Sequence, residues 1–318
     1  LSNFRDLLRN ENMKIYRRPR TWLMIGFLIL SLLLMSGLMK YDEVRNDSSD
    51  WKQQVTEENQ VLQQEIQNNA TADPDFVKNM ENEIKLNEYY LEHNLNPNEL
   101  SMWDYVNTSA MLILLVTILT VIVAADMIAA EFSWGTIKLL LVGPASRTKV
   151  MLSKYVATMG FALLLLILSF TVAFAAGAAL QGFGGLSLPH LSVSADGIIH
   201  ESSMIADSLQ QYGFAIVSLL MYVTFAFMIS AAFRSSSMAI AFSLLFMLVG
   251  NSLTMLFSSY GWVKYLLFAN IDLTRYLAGN DPIRPEMTLT FSIMMLVAYY
   301  VLFQLVSWLL FTKRDVAA

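Results

Sequence analysis

Glu131, Lys138, Arg147, Lys149 and Lys154 lie in one short stretch, AAEFSWGTIKLLLVGPASRTKVMLSKY (residues 129–155), between two long apolar runs. An acid, a Ser-Trp-Gly-Thr turn and a series of bases around a few aliphatic residues suit ionic and apolar docking rather than bond-making. The groups that make bonds are scarce. Cysteine is absent, which excludes thiolate catalysis, disulfides and Cys-based metal sites. The three histidines, His93, His190 and His200, all fall outside the apolar runs, and no HExxH pair, GxSxG elbow or GxxxxGK[ST] phosphate loop occurs. Isolated serines and threonines within apolar runs are ordinary helix-packing residues. The expectation is a chain with no catalytic residue, no metal ligand set and no cofactor of its own.

Ionisable side chains are almost absent from the interiors of the apolar runs, which argues against an ion-coupled path. Asp126 stands at the end of one run, and Asn251, Thr254 and Gln304 lie within others. Two readings of Asn251, Thr254 and Gln304 stay open. They hydrogen-bond between helices, or they line a polar part of a translocation path.

The elements that must position these residues follow from hydropathy. The chain is 55% hydrophobic and only 15% charged, whereas soluble domains are about a quarter charged. A bilayer-crossing helix needs about 20 mostly apolar residues. Residues 21–39, 106–126, 155–180, 212–233, 237–258 and 288–311 meet that need. Backbone polar groups in lipid must be satisfied within the segment, so the expected fold class is an all-α membrane protein with six transmembrane helices. The first run is too long for a signal peptide and lacks a clean cleavage site, so it reads as a retained span.

Lys and Arg counts set the orientation. Thirteen fall on the side of the two termini, in residues 1–20, 127–154 and 312–318 and at Arg234, while segment 40–104 carries 15 Asp/Glu against five Lys/Arg. Both termini are therefore expected in the cytoplasm of a bacterial cell, with the cell membrane as the location. Residues 1–20, with Phe4, Leu7, Leu8 and Ile15 among Arg and Lys, read as an amphipathic interfacial helix or as a simple basic flank of the first span. Segment 40–105 reads as an external helical hairpin. Trp51, Val55, Leu62 and Ile66 mark one helix, and Phe76, Met80, Ile84 and Leu91 the other, with Asp73 as N-cap and Pro74 at the first helical position. Such a hairpin is a substrate-contacting lid or a plain spacer. Residues 181–211 read as a partly irregular external loop, and 259–287 as a re-entrant or interfacial segment.

The stretch between the second and third spans has its own local logic. Ser133-Trp134-Gly135-Thr136 bends the chain. Ile137 and 139–142 form a short apolar helix bearing Lys138, Gly143-Pro144 stops it, and Ser146 caps the next helix. A short helix held between two rigid spans suits a groove on a partner and passes its movement to both spans.

Glu131-Phe132-Ser133-Trp134-Gly135-Thr136-Ile137-Lys138, followed by Pro144-Ala145-Ser146-Arg147, resembles the coupling segment of ABC-2 type membrane permeases. In that family the pattern is roughly E-[aromatic]-x-x-G-T-[aliphatic]-[K/R], then P-x-S-R. The span count, the amphipathic N-terminal helix and the interrupted segment before the last span are similar too. Asn270-Ile271-Asp272-Leu273 with Arg275-Tyr276-Leu277 looks like the external stretch of Gram-positive members. The subgroup it resembles serves bacitracin- or lantibiotic-type resistance. The resemblance implies a half-transporter. Two permease chains, identical or paralogous, would pair in membrane lipid. Each would dock a separate ATP-binding subunit (two copies in all) carrying ATP and Mg. No nucleic acid is implied. Coupling would fall to Glu131, Phe132, Gly135, Thr136, Ile137, Lys138, Pro144 and Arg147. Glu131 and Lys138 would face or brace the partner groove, Gly135 would permit the bend and Thr136 would cap the short helix. The function implied is export of an amphipathic substrate (an antimicrobial peptide, a lipid-like molecule or a drug). The competing reading is a membrane sensor that detects antimicrobial peptides through its hairpin.

Overall fold

The apolar runs become helices, most of them longer than the expected spans; the fifth, which ends at Leu256, is the exception. In the computed structural model, which describes residues 3–46, 50–68, 74–137, 145–183, 189–193, 198–276 and 282–313, six helical stretches are long and apolar enough to cross a membrane. The chain begins with α1 (Phe4–Tyr16) and turns sharply into α2 (Pro19–Asn46). Proline at the first position of α2 forfeits no helical bond. The elbow is fastened by side chains of the second helix. The Thr21 hydroxyl donates to the Ile15 carbonyl at 2.6 Å and the Trp22 indole to the Tyr16 carbonyl at 2.8 Å. These bonds satisfy carbonyls that the end of α1 would otherwise leave open. Thr21, Ile25, Leu28, Leu32 and Ser36 form the buried face of α2, while Leu23, Phe27, Leu30 and Leu34 stay exposed. That spacing is one helical face turned to protein and one to lipid.

The hairpin is present as α3 (Trp51–Asn68) and α4 (Pro74–His93); the expected cap Asp73 lies outside the described residues. Val55 and Met80 are buried in its seam, but Phe76 is 47% exposed. The apolar pattern skipped one turn in each helix, and both gaps hold asparagine. Asn87 Nδ2 donates to Asn59 Oδ1 at 2.9 Å, with both residues buried. A single paired amide inside an apolar seam fixes register. Asn87→Leu alone is expected to destabilise the chain by about 1–3 kcal/mol, because Asn59 is left buried without a partner. Asn59→Leu with Asn87→Leu should recover the loss in a thermal melt. A double variant as unstable as the single one would show that the pairing is not what these amides contribute.

Next come α5 (Met102–Ser109), a 3-10 turn (Ala110–Leu112) and α6 (Ile113–Ser133), which run on as one membrane-length rod. The Asp104 carboxylate accepts from the Ser101 N–H and hydroxyl, closing the start of α5. Helix α7 (Arg147–Gln181) begins where Ser146 Oγ accepts from the Lys149 N–H, as the sequence predicts.

The expectation of an all-α chain needs one correction. Residues 189–193 and 199–203 pair as antiparallel strands, β1 (Pro189–Val193) and β2 (Ile199–Ser203), with Leu191 opposite Glu201. A stretch expected to be partly irregular thus contains a small sheet. Short His/Ser-rich strands carry too little apolar alternation to announce themselves. The Tyr89 hydroxyl on α4 donates to Glu201, so the sheet leans on the helical hairpin.

The remainder is α8 (Met204–Ala232), α9 (Ser236–Leu256), a 3-10 turn (Gly261–Tyr265), α10 (Leu267–Asn270), a second 3-10 turn (Leu273–Tyr276) and α11 (Leu289–Lys313). The interrupted segment is a set of short turns held by polar bonds. Asn270 Nδ2 donates to the Lys264 and Leu266 carbonyls, both at 2.8 Å, and Asn270 Oδ1 accepts from Ser292 on α11. The rod 102–133 and α8 form the centre of the bundle, with 61% and 56% of their most apolar windows buried, against 17–28% for the other four spanning helices.

Candidate functional site

The end of the bundle that carries α1 also gathers the end of α6, the start of α7, the end of α8 and the start of α9. Helix α1 is brought there by its own pattern. Leu8, Ile15 and Tyr16 pack into the main core, with Tyr16 edge-on to Phe161 of α7 at 6.0 Å between ring centres. Glu11 lies one turn from Ile15 on the same face and is carried inward with it.

Glu11 meets Lys154 of α7, whose Nζ donates to Glu11 Oε2 at 2.8 Å and to Glu131 Oε1 of α6 at 2.7 Å. Lys14 Nζ closes the ring, 3.1 Å from Glu11 Oε1 and 2.6 Å from Glu131 Oε1. The Thr136 hydroxyl donates to Glu131 Oε2 at 2.5 Å. Two carboxylates and two ammonium groups thus form a neutral cluster spanning three helices. The Lys154 side chain is 1% exposed, that of Glu11 4% and that of Glu131 8%. Burial alone would lower the pKa of Lys14. Its hydrogen bonds to Glu131 and Glu11 and their charges outweigh this, so its pKa is raised above the usual lysine value.

A second ionic group lies beside the first. Arg18 and Arg20, at the elbow, both bond to buried Asp126 of α6, which also accepts from the Ser236 hydroxyl of α9. The Arg18 guanidinium sits 4.6 Å from the centre of the Trp134 ring, within cation–π range. Ser230 Oγ of α8 accepts from the Ile128 and Ala129 N–H groups at 2.9 and 3.0 Å, pinning α6 to α8. Glu11, Lys14, Arg18, Arg20, Glu131 and Lys154 help line a polar cavity of about 10 Å³, room for a single water. Among the described residues no three of His, Asp or Glu converge to hold a metal ion.

The residues expected to couple to a partner are placed as follows. Glu131 is turned inward into the cluster, and Thr136 binds it. Ile137 is buried in the main core, and Phe132 packs against that core half-buried. Gly135 has φ +69°, and a β-carbon there would meet nothing within 4 Å. It supplies the bend after α6 that only glycine takes without strain. Trp134 is 62% exposed. Arg147 is set apart from the cluster, its Nη1 donating to the Thr312 carbonyl of α11 at 2.8 Å. Lys138 and Pro144, with the short helix expected between them, lie outside the described residues, as does Leu277.

Asn251, Thr254 and Gln304 are not gathered at one point. Asn251 is on the exposed face of α9, and Thr254 is buried and bonds the Gly250 carbonyl of its own helix. Gln304 is half-buried beside Tyr155, whose hydroxyl is 2.8 Å from Thr224 Oγ1.

Sequence reasoning missed Glu11, Lys14, Arg18, Arg20 and Lys154 as partners in these ionic groups, because nothing local pairs residues so far apart in the chain. A usable signal existed. Acids are rare at this end of the bundle, and Glu11, Asp126 and Glu131 each stand at a position where the helical pattern points inward. The arrangement's capability is mechanical. The ring ties the turn at 134–137, through Glu131, to Lys154 of α7 and Lys14 of α1.

The family model described as protein of unknown function (DUF2705) matches residues 61–317. An uncharacterized protein of Bacillus subtilis (strain 168), YhcI, is 38% identical over 315 residues, covering 98% of this chain and 99% of its own. An uncharacterized membrane protein of the same organism, YdbK, is 30% identical over 214 residues, covering 67% of this chain and 82% of its own. Six apolar helices together with a relative so named make the chain a multi-pass membrane protein.

Proposed function

We propose that this chain, which belongs to the DUF2705 family, is the transmembrane permease subunit of an ATP-driven ABC-2 type exporter in a bacterial cell membrane. Its termini and the cluster around Glu131 face the cytoplasm, and the α3–α4 hairpin faces outward. A separate ATP-binding subunit, present in two copies with ATP and Mg, docks on the segment after α6. A second permease chain completes the transporter. This chain hydrolyses nothing itself. The cargo is amphipathic, in keeping with span interiors nearly free of ionisable groups.

One observation carries the reading. The segment whose residues resemble a coupling element is joined at its root, through Glu131, to two other helices by ionic bonds, the one to Lys154 sealed from water and the one to Lys14 partly exposed. A push on that segment is therefore delivered to α1 and α7 rather than dissipated in a loop.

The test is purification of the chain from its native membrane in mild detergent, with an ATPase assay of what accompanies it. Gly135→Pro is the sharp variant. Proline cannot adopt a positive φ, yet the site touches no packed atoms. Insertion should be normal while substrate-dependent ATPase falls at least tenfold. Glu131→Ala is a poorer probe, since it strips Lys154 of one of its two carboxylates. A Gly135→Pro protein with unaltered ATP-driven transport would remove the coupling assignment.

A second reading, a membrane sensor for antimicrobial peptides, draws on the Tyr89–Glu201 bond that links the hairpin to β2 and so to α8. It predicts a response to peptide with no ATPase bound.

A further inference from the structure

We propose that the exposed face of α1, carrying Arg5, Arg9 and Arg17, binds the headgroups of anionic phospholipids at the surface of the membrane that the chain crosses. The inference does not rest on the exporter reading. Arg5, Asp6, Arg9, Asn10, Met13 and Arg17 are exposed along one side of α1, while Leu8, Glu11 and Ile15 on the other side pack into the bundle. The exposed side carries three arginines against one aspartate.

Three of the acids at this end of the bundle do nothing to neutralise that face. Glu11, Glu131 and Asp126 are all buried and bonded to lysine or arginine. By contrast, none of Arg5, Arg9 and Arg17 is held by an ion pair among the described residues. The ionic clusters thus draw the acids inward and leave arginine facing out.

The face is also held at the right level. Trp22, 62% exposed at the start of α2, is of the residue type that concentrates at the headgroup layer. Its indole bond to Tyr16, together with the Thr21 bond to Ile15, ties α1 to that level. Arg17 stands two residues before the first residue of α2, and Arg5 lies about 18 Å further along the helix. Juxtamembrane arginines within a Debye length of the surface attract anionic lipid, each by about fivefold in affinity.

The absence of cysteine permits a single-site probe. Met13→Cys, on the same face and 39% exposed in the parent, is labelled with a fluorophore in the full chain. The labelled chain is reconstituted in nanodiscs of phosphatidylcholine doped with quencher-labelled phosphatidylglycerol or quencher-labelled phosphatidylcholine. Stronger quenching by phosphatidylglycerol is expected, weakening with salt. Arg5→Gln/Arg9→Gln/Arg17→Gln should lower that preference by at least about fivefold. Lys52→Gln/Lys78→Gln/Lys85→Gln, which changes net charge equally in the hairpin, should leave it intact. Equal quenching by the two lipids overturns the proposal, as does an unchanged preference in the arginine variant. An arginine variant that keeps its lipid preference but loses a co-purifying acidic protein overturns it as well, and marks α1 as a protein-docking face.

Discussion

Replacing Lys154 with methionine is expected to destabilise the folded chain more than any other single change at the ionic cluster. Lys154 is 1% exposed and holds Glu11 and Glu131 together. Removing it leaves two buried carboxylates facing each other, with only the partly exposed Lys14 between them. Breaking a buried pair in this way costs about 3–5 kcal/mol, mostly the penalty of the charges left behind. The loss should appear as a lower melting temperature in detergent and a smaller monodisperse fraction on sizing. Lys14→Met is the contrast, because a side chain one-third exposed is screened by solvent and contributes about 1 kcal/mol or less. Adding Glu11→Gln and Glu131→Gln to Lys154→Met removes the stranded charges and should restore much of the stability. In that triple variant α1 loses its ionic hold on α6 and α7, so its amides should exchange with deuterium faster than in the parent. If Lys154→Met melts with the parent, the lysine is not a keystone and the mechanical account of the site fails.

Gly177→Val should separate α5 from α7. A β-carbon at Gly177 would lie 2.6 Å from the Met102 carbonyl oxygen and 3.2 Å from Tyr105 Cβ. The nearest atom is backbone at the start of α5, where Ser101 and Asp104 already fix the helix end, so it cannot step aside as a side-chain tip would. Overpacking of this kind costs about 1–3 kcal/mol. Gly160→Val is the internal control. It lies on the same helix, is exposed, and would meet nothing within 4 Å. The Gly177 variant should melt markedly lower than the Gly160 variant. Equal behaviour would mean that the close approach of α5 and α7 is not required for stability.

The division between what was legible in the sequence and what was not follows a physical line. Six membrane-length helices were legible, because lipid demands about 20 apolar residues whatever the neighbours are. The bend at Gly135 and the cap at Ser146 were legible for the same kind of reason, since each depends on the chemistry of a few adjacent residues. The hairpin was partly legible. Its apolar positions announced two helices, but the gaps at Asn59 and Asn87 gained meaning only when the helices were laid side by side.

The pairing within the ionic cluster was decided by tertiary structure alone. Glu11 and Lys154 are 143 residues apart in the chain, and nothing local distinguishes a lysine that orients a span from one that is sealed inside a bundle. The same holds for Asp126, which reads as a span-end acid until Arg18 and Arg20 are folded back onto it. The sequence by itself determined that this chain crosses the membrane as helices and that one basic segment joins two of them. Which charges face each other, and therefore which helices are joined by ion pairs, was decided by packing, because ion pairing depends on distances across the bundle that no spacing along the chain encodes.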